Sequence, residues 1–302
     1  MSKLNTEYGL LASAMEGITS ENYEGSSLEY ATPESTFIDE YYLDVTATQN
    51  GGYVESETIS RDLTTDFSIS FWLKTGPLQQ IWQQAFYWGA IRGTTRDAYN
   101  RLTGVAMQYR GYANTSNYID VGGAYANFMD PYIDDGNWHN IILTYDSTNV
   151  QGTDVFSGTD VQNKFKLYVD GSNVPFAAGA GTSSFNASEI LTNFRVGDFV
   201  SGWQEPSFDI NEFAHWGSTK LTSSEASKIY NLGTTTDLQN TSGVTPPTRY
   251  WQYEDANNLT KDTISDSNQG TVNGGTQGAQ YVKKDSTTNG NGYGSSVLLQ
   301  QN

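Results

Sequence analysis

Two alternating segments joined by a polar loop constrain the fold of this chain more than any other feature. The first, residues 138–145, reads WHNIILTY and follows the turn-forming Gly136, and the second, residues 165–169, reads FKLYV. Side chains of a β-strand point to opposite faces in turn, so each segment predicts a strand with one apolar face. The Asp170-Gly171 pair that follows is typical of a tight hairpin turn. This order of strand, loop, strand and turn predicts an antiparallel sheet.

A third alternating segment predicts that the sheet is covered on both sides. Residues 67–73 place apolar side chains at every second position, and Trp72 lies on the opposite face. A tryptophan on a face that would otherwise be polar indicates a further layer packed against that face. The other expected elements are a strand at 41–45, three strands joined by long polar loops within 78–133, and surface loops at 151–163 and 176–188.

One short helix is predicted near residue 222, where the hydrophobic period changes. Thr222 and Glu225 have the spacing of a capping box, which satisfies unpaired amides at a helix start. Ala226, Ile229 and Tyr230 then share one face at helical spacing. Gly233 is the predicted C-terminal cap. A helix this short needs its apolar face to pack on the sheet, because it is not stable alone.

Four segments in a fixed order carry a family resemblance: residues 66–74 (DFSISFWLK), 136–139 (GNWH), 165–171 (FKLYVDG), and 208–213 (FDINEF) followed by 221–231. They resemble the laminin-G/concanavalin-A-like jelly roll of lectins, pentraxins and glucanases. The resemblance implies an all-β fold, a two-sheet antiparallel jelly-roll sandwich with one short helix. This fold hosts enzymes, lectins and structural modules alike, so function must be argued from sites.

The chain is predicted to comprise an N-terminal arm (1–35), the jelly roll (36–233) and a C-terminal extension (234–302) with added strands and a Gly/Asn/Ser-rich tail. Within the extension, YWQYEDA at 250–256 and TISDSNQGTVNG at 263–274 resemble a segment of laminin-G-like structural proteins from tailed phages, especially marine ones. That resemblance implies a virion protein, either a capsid decoration or a tail or fibre component. Its partners would be other virion proteins and, in a multi-copy assembly, copies of itself.

Composition argues against several partners. Sixteen basic residues against 34 acidic ones give a net charge of −18, which repels nucleic-acid phosphates. No apolar run is long enough for a membrane span, and the N-terminus lacks the pattern of a signal peptide. We therefore expect no nucleic acid and no membrane. For the virion protein that the resemblance implies, the lack of a signal peptide indicates synthesis in the host cytoplasm. No cysteine is present, so no disulfide or thiolate chemistry is expected.

The carboxylates of the strand predicted at 208–213 argue against catalysis. A glycoside hydrolase needs two carboxyl groups flanking the scissile bond. Asp209 and Asn211 share a face of the predicted strand, whereas strict alternation puts Glu212 on the other face. No catalytic residue is therefore predicted, and a glycan-cleaving enzyme is the least favoured function. The two histidines, His139 and His215, are expected to have structural roles.

Calcium is the one metal that the sequence makes plausible, because this fold often binds it at a sheet rim through oxygen ligands. The candidate ligands are Asp198, Asp209 and the pair Asp134 and Asp135. The alternative is that these residues cap turns in a chain with an acid excess throughout.

Three aromatic residues are candidates for binding. Trp203 lies in a predicted loop, and Tyr112 and Tyr118 are further candidates. Exposed aromatic rings stack on sugar faces, but they also anchor protein interfaces. A virion structural protein would use them as interface anchors, and a carbohydrate-binding lectin, the alternative function, would use them to hold glycans.

Overall fold

The structure is a computed structural model. It describes residues 41–44, 53–55, 59–75, 82–89, 104–110, 117–128, 133, 135–198, 208–255, 258, 260–265, 270–273 and 280–283. The arm expected at 1–35 lies outside the described residues.

The described residues form eighteen strands and two α-helices. The strands are β1 (Tyr41–Asp44), β2 (Tyr53–Glu55), β3 (Phe67–Thr75), β4 (Trp82–Gly89), β5 (Gly104–Arg110), β6 (Asn117–Val121), β7 (Ala124–Phe128), β8 (Trp138–Tyr145), β9 (Val155–Ser157), β10 (Phe165–Val169), β11 (Ser172–Val174), β12 (Phe176–Ala180), β13 (Thr182–Asn186), β14 (Asn193–Asp198), β15 (Phe208–Trp216), β16 (Arg249–Trp251), β17 (Thr271–Asn273) and β18 (Gln280–Lys283). The helices are α1 (Gly158–Lys164) and α2 (Ser223–Tyr230), and a 3-10 turn follows at Asn231–Gly233.

Two antiparallel sheets contain most of these strands. The first sheet has the order β11-β10-β8-β3-β15-β1-β18, with β16 also paired to β15. The second has the order β12-β7-β6-β5-β4-β14-β2-β17, and β9 and β13 form a small separate pair. The chain is therefore all-β, an antiparallel two-sheet sandwich of the predicted jelly-roll class. Neither described helix is long and apolar enough to cross a bilayer.

The main core lies between the two sheets and is rich in aromatic rings. Phe67 and Phe71 of β3 meet Trp88 and Phe86 of β4, with ring centroids 5.2 and 6.0 Å apart. All four side chains are fully buried. Edge-to-face ring pairs of this kind add to the stabilisation from apolar burial. The period-two pattern of β3 thus specifies which of its faces enters the core.

A second apolar layer covers the outer face of the first sheet. Its buried members come from β8, β10, β15, β16, α2 and the segments on either side of α2, namely Ile142, Tyr168, Ala214, Trp216, Leu221, Ala226, Ile229, Leu238, Val244 and Tyr250. Trp72 lies on the same side and stacks on Tyr230 at 6.1 Å. The further layer that Trp72 predicted is confirmed.

Helix α2 begins as predicted and ends differently. The Thr222 hydroxyl accepts from the Glu225 amide at 3.2 Å, and the Glu225 carboxylate accepts from the Thr222 amide at 2.8 Å. The prediction that Gly233 caps the helix is wrong, because Asn231 adopts the left-handed conformation there (φ 44°). Gly233, also left-handed, ends the 3-10 turn.

The expectation of a single helix is wrong, and so are the loops expected at 151–163 and 176–188. Helix α1 starts at a capping box formed by Ser157 and Asp160. It lies close to β12, since a Cβ on Gly158 would be 1.9 Å from the Ala180 amide nitrogen. Strands β12 and β13 occupy the second expected loop. Tertiary packing forms these elements, because neither helix α1 nor the small-residue strand β12 has a strong hydrophobic period.

Four strands, rather than the expected three, lie among the described residues between 82 and 128. The additional strand is β7, which forms a tight hairpin with β6. Gly122 and Gly123 connect them with φ values of 61° and 98°. Two consecutive positive φ angles favour glycine and suit the twist of a two-residue hairpin.

The segment after α2 returns to both sheets. Strand β16 pairs with β15, opposite residues from Phe213 to His215, while β17 pairs with β2 and β18 with β1. The Asp262 carboxylate, fully buried, accepts from the Tyr250 amide at 3.0 Å. Residues 249–283 thus add strands to both layers of the sandwich.

Candidate ligand-binding surface

The β6–β7 hairpin presents aromatic and polar side chains on the outer face of the second sheet. Tyr118 and Asp120 of β6 and Tyr125 and Asn127 of β7 are partly exposed, whereas the residues between them are buried. This alternation is the period of a strand with one face in the core. We call these four residues the hairpin face.

The four side chains stand at the corners of a small square. In the antiparallel register, Tyr118 faces Asn127, and Asp120 faces Tyr125. The two tyrosines therefore occupy one diagonal, and their rings meet edge to face with centroids 5.4 Å apart at 84°. Each ring restrains the other, because aromatic side chains across a strand pair interact along the diagonal.

Asp120 also fixes the hairpin turn. Its carboxylate accepts a hydrogen bond from the Gly123 amide at 3.0 Å. The Gly122 amide donates to the Gly104 carbonyl of β5 at 2.9 Å, which holds the turn to the neighbouring strand. The hairpin face thus sits on a sheet whose strands hold it in place on both sides, since β5 pairs with β6 and β12 with β7.

Of the three aromatic residues that the sequence singled out, the structure places one. Tyr118 lies in the hairpin face. Trp203 and Tyr112 lie outside the described residues. Tyr125 was missed by sequence reasoning, although the two glycines at 122 and 123, flanked by alternating residues, were a usable hairpin signal.

The candidate calcium ligands are not brought together among the described residues. Asp209 pairs with Lys74 at 3.6 Å, and Asp135 accepts from the Asn137 amide at 2.8 Å and contacts His139 at 3.1 Å. Asp198 ends β14, and Asp134 lies outside the described residues. Within those residues no three acidic or histidine side chains converge as a metal site would require. Asp209 thus pairs with a lysine, and Asp135 is hydrogen-bonded to an asparagine amide and a histidine.

His139 links two turns at one end of the first sheet. Its Nδ1 lies 2.8 Å from an Asp170 carboxylate oxygen and its Nε2 lies 3.1 Å from Asp135. Burial alone would lower the pKa of His139, but the hydrogen bonds and negative charges of Asp170 and Asp135 outweigh it and raise the pKa. Both ring nitrogens of His139 face carboxylates, an arrangement that favours the protonated ring and fits the structural role expected for it.

His215 has the opposite environment. It is 1% exposed, and its ring meets Trp88 edge to face at 5.3 Å. Burial, followed by the positive charges of Arg61 and Arg249, lowers the pKa of His215 to about 3. His215 is therefore a neutral core residue at ordinary pH, which also agrees with a structural role.

The carboxylate of Glu212 is used in packing. A bulge interrupts β15 between Asn211 and Ala214, and Glu212 within it has a left-handed backbone (φ 52°). The bulge turns Glu212 towards the layer outside the first sheet, where the Tyr250 hydroxyl donates to it. The expectation that Glu212 lies on the face opposite Asp209 is therefore wrong. Glu212 is 2% exposed beneath this layer, so solvent and substrates do not reach it.

Comparison with known proteins found no matching family model and no matching curated protein. Among solved structures, the chain is similar to a native heptameric SAP-like pentraxin from Limulus polyphemus, at 12% identity and a TM-score of 0.46, over 81% of this chain and 94% of the pentraxin. It is also similar to a Trypanosoma rangeli sialidase (15% identity, TM-score 0.38), over 55% of this chain and only 23% of the sialidase. A third similarity is to domain 4 of AbnA, a GH43 extracellular arabinanase from Geobacillus stearothermophilus, in complex with arabinotriose. This match has 18% identity and a TM-score of 0.33, and it covers 57% of this chain and 67% of that domain. The sandwich assignment rests on the strand pairing described above, and likenesses of this size carry no argument about function.

Proposed function

We propose that this chain is a non-catalytic structural protein of a phage virion, located on the capsid exterior or in the tail or fibre apparatus. It acts by binding, through attachment to other virion proteins and through a sheet face presented outward. The virion location is supported by the segments at 250–256 and 263–274, which resemble those of phage structural proteins.

The observation that carries the binding role is the asymmetry of the sandwich. The outer face of the first sheet is closed by α2 and the segment after it, where Ile229 and Leu238 join Trp216 of β15 in one buried cluster. The second sheet instead has partly exposed tyrosines, Tyr118 and Tyr125, on its outer face. Partly exposed aromatic residues on a rigid sheet suit binding, because they supply contact area at little entropic cost.

The carboxylates of β15 support a role without catalysis. Asp209 pairs with Lys74, and Glu212 is buried against Tyr250. A glycosidase needs one carboxyl group to donate a proton and another to attack the sugar or activate water, both in an open cleft. A carboxylate sealed beneath a packed layer does not meet that requirement.

The test is to ask where the protein is found and whether it cleaves glycans. We expect an antibody against the chain to detect it in phage particles purified on a density gradient, and to label intact particles by immunogold microscopy. We also expect no release of reducing ends from polysaccharides. A protein that stays in the soluble fraction of the lysate, away from particles, would contradict the virion role, and turnover abolished by Asp209→Asn would contradict the non-catalytic role.

A further inference from the structure

We propose that the hairpin face binds a neutral glycan chain, with Tyr118 and Tyr125 packing on sugar rings and Asp120 and Asn127 hydrogen-bonding to hydroxyl groups. This inference rests on the proposed binding role and adds the chemical class of the ligand.

The chemistry of the four side chains matches a carbohydrate. One side of a sugar ring is a row of C–H groups that packs on an aromatic ring, and its edge carries hydroxyls that both donate and accept. In the hairpin face the two tyrosines lie on one diagonal of the square, and the Asp120 carboxylate and the Asn127 amide lie on the other. A ligand lying across the hairpin would thus meet apolar and polar contacts in alternation.

Asn127 is well suited to a hydroxyl-bearing ligand. Its amide oxygen is buried and has no hydrogen-bond partner among the described residues, although the side chain as a whole is partly exposed. A carboxamide offers an acceptor on one side and two donors on the other, and rotation about its last bond exchanges them. Rotation of the amide would bring its oxygen to the surface, where a sugar hydroxyl can donate to it and supply the missing hydrogen bond.

The hairpin face is also held in its binding geometry before a ligand arrives. The tyrosine rings pack on each other at 5.4 Å, and the turn is fixed by the Asp120–Gly123 hydrogen bond of 3.0 Å. Side chains that are already restrained lose little freedom on binding, so less of the interaction energy is lost.

The net charge indicates which glycans fit. The chain carries −18, and the hairpin face contributes Asp120 with no basic residue among its four members. Uronate, sulfate or sialate groups would be repelled by this field, whereas neutral sugars would not. The occupant is therefore a neutral polysaccharide rather than an anionic one.

The size and polarity of the patch favour a sugar chain over a protein. A stable protein interface uses about 20–30 residues on each side and has a broad apolar centre. The large apolar side chains exposed among the described residues are scattered singly, at Val155, Ile190 and Ile264. A narrow row of two tyrosines with polar neighbours matches the width of a single glycan chain more closely.

The experiment is affinity electrophoresis of the full chain in native gels containing a soluble neutral polysaccharide (a β-glucan, a mannan, a galactan or an arabinan) or the anionic polysaccharide alginate. We expect at least one neutral polysaccharide to retard the protein and alginate to leave its mobility unchanged. Tyr118→Ala and Tyr125→Ala should each weaken binding about tenfold, the equivalent of one lost ring contact. Tyr118→Phe should stay within about threefold of the wild type, because it keeps the stacking ring.

Two further variants separate loss of binding from loss of fold. Tyr230→Ala removes a half-buried tyrosine from the layer over the first sheet and should leave retardation unchanged. Tyr118→Leu keeps an apolar side chain on β6 and should remain folded, by circular dichroism and melting temperature, yet still bind more weakly. These controls assign any effect to the aromatic rings of the hairpin face.

Several results would overturn the proposal. These are no retardation of the folded wild type by any of the four neutral polysaccharides, retardation that survives both tyrosine-to-alanine variants, or stronger binding to alginate than to neutral polymers. A fourth is a wild type that binds no sugar but self-associates in sedimentation velocity, with the association abolished by Tyr118→Ala. The hairpin face would then be a contact between copies of the chain. None of these outcomes affects particle association, so the virion role and the glycan site fail independently.

Discussion

Replacing His215 with phenylalanine should make the protein more resistant to acid. His215 is buried and neutral, and its ring packs between Trp88 and Phe194, with centroids 5.3 and 6.5 Å away. Phenylalanine keeps an aromatic ring at this position and cannot be protonated. The variant therefore removes the titration while retaining ring packing.

The magnitude follows from the two pKa values of this histidine. In the folded protein the pKa of His215 is about 3, against an ordinary value of 6.5. A histidine whose pKa is lowered by folding contributes its full stability above about pH 6.5, and the contribution is lost as the pH falls from there towards about pH 3. Between about pH 7.5 and pH 4.5, two units of this range are crossed, at about 1.4 kcal/mol each. The wild type should therefore lose about 3 kcal/mol more than His215→Phe over this interval.

The assay is urea unfolding followed by the fluorescence of the seven tryptophans at about pH 7.5 and pH 4.5. Comparing the pH-dependent loss within each protein cancels the fixed cost of fitting a larger ring. Carboxylates titrate similarly in both proteins, so they cancel as well. Equal losses of stability in the wild type and the variant, with equal m-values, would refute the assignment of His215 as a buried neutral group.

Three further substitutions test other contacts. His139→Gln should destabilise the protein more at about pH 5 than at about pH 9 in urea unfolding, because folding raises the pKa of His139. Such a group stabilises the fold fully below about pH 6.5 and loses this effect as the pH rises through its folded pKa, so a pH-independent loss of stability would contradict the assignment. Gly158→Ala should cost about 2 kcal/mol or more in thermal unfolding, because the added Cβ would be 1.9 Å from the Ala180 amide nitrogen. Gly152→Ala is the control and should cost less, since its Cβ would be 3.0 Å from the Ser188 Cβ. Glu225→Ala should cost about 1–2 kcal/mol in urea unfolding, because the Glu225 carboxylate accepts from the Thr222 and Thr245 amides at 2.8 and 3.0 Å. An unchanged unfolding midpoint would show that neither hydrogen bond contributes to stability.

The strands that face the core could be predicted because their signal is local. β3, β8 and β10 carry the period-two pattern in their own residues, and the structure pairs them as neighbours in one sheet. The start of α2 could also be predicted, because a capping box is formed by two residues three positions apart in the sequence. Trp72 indicated a second layer because a large aromatic residue on an outer strand face needs a cover.

The features that sequence reasoning missed depend on distant partners. The bulge at Glu212 accompanies a hydrogen bond from Tyr250, 38 residues further along the chain. Helix α1 packs by close backbone approach against β12, and its capping box uses Asp160 in place of the more usual Glu or Gln. For the hairpin face, Tyr118 was identified as a candidate, but its neighbour Tyr125 required the register of β7.

The pairing of β16 with β15 has a practical consequence for anyone expressing part of this protein. A fragment ending at residue 233, where the predicted jelly roll ends, would lack the strand at Arg249–Trp251 and with it Tyr250 and Trp251, both buried. Trp216 and Ala214 would then be left open to water, and large exposed apolar surfaces promote aggregation. A soluble recombinant piece must therefore continue past Asp262, whose carboxylate holds the Tyr250 amide.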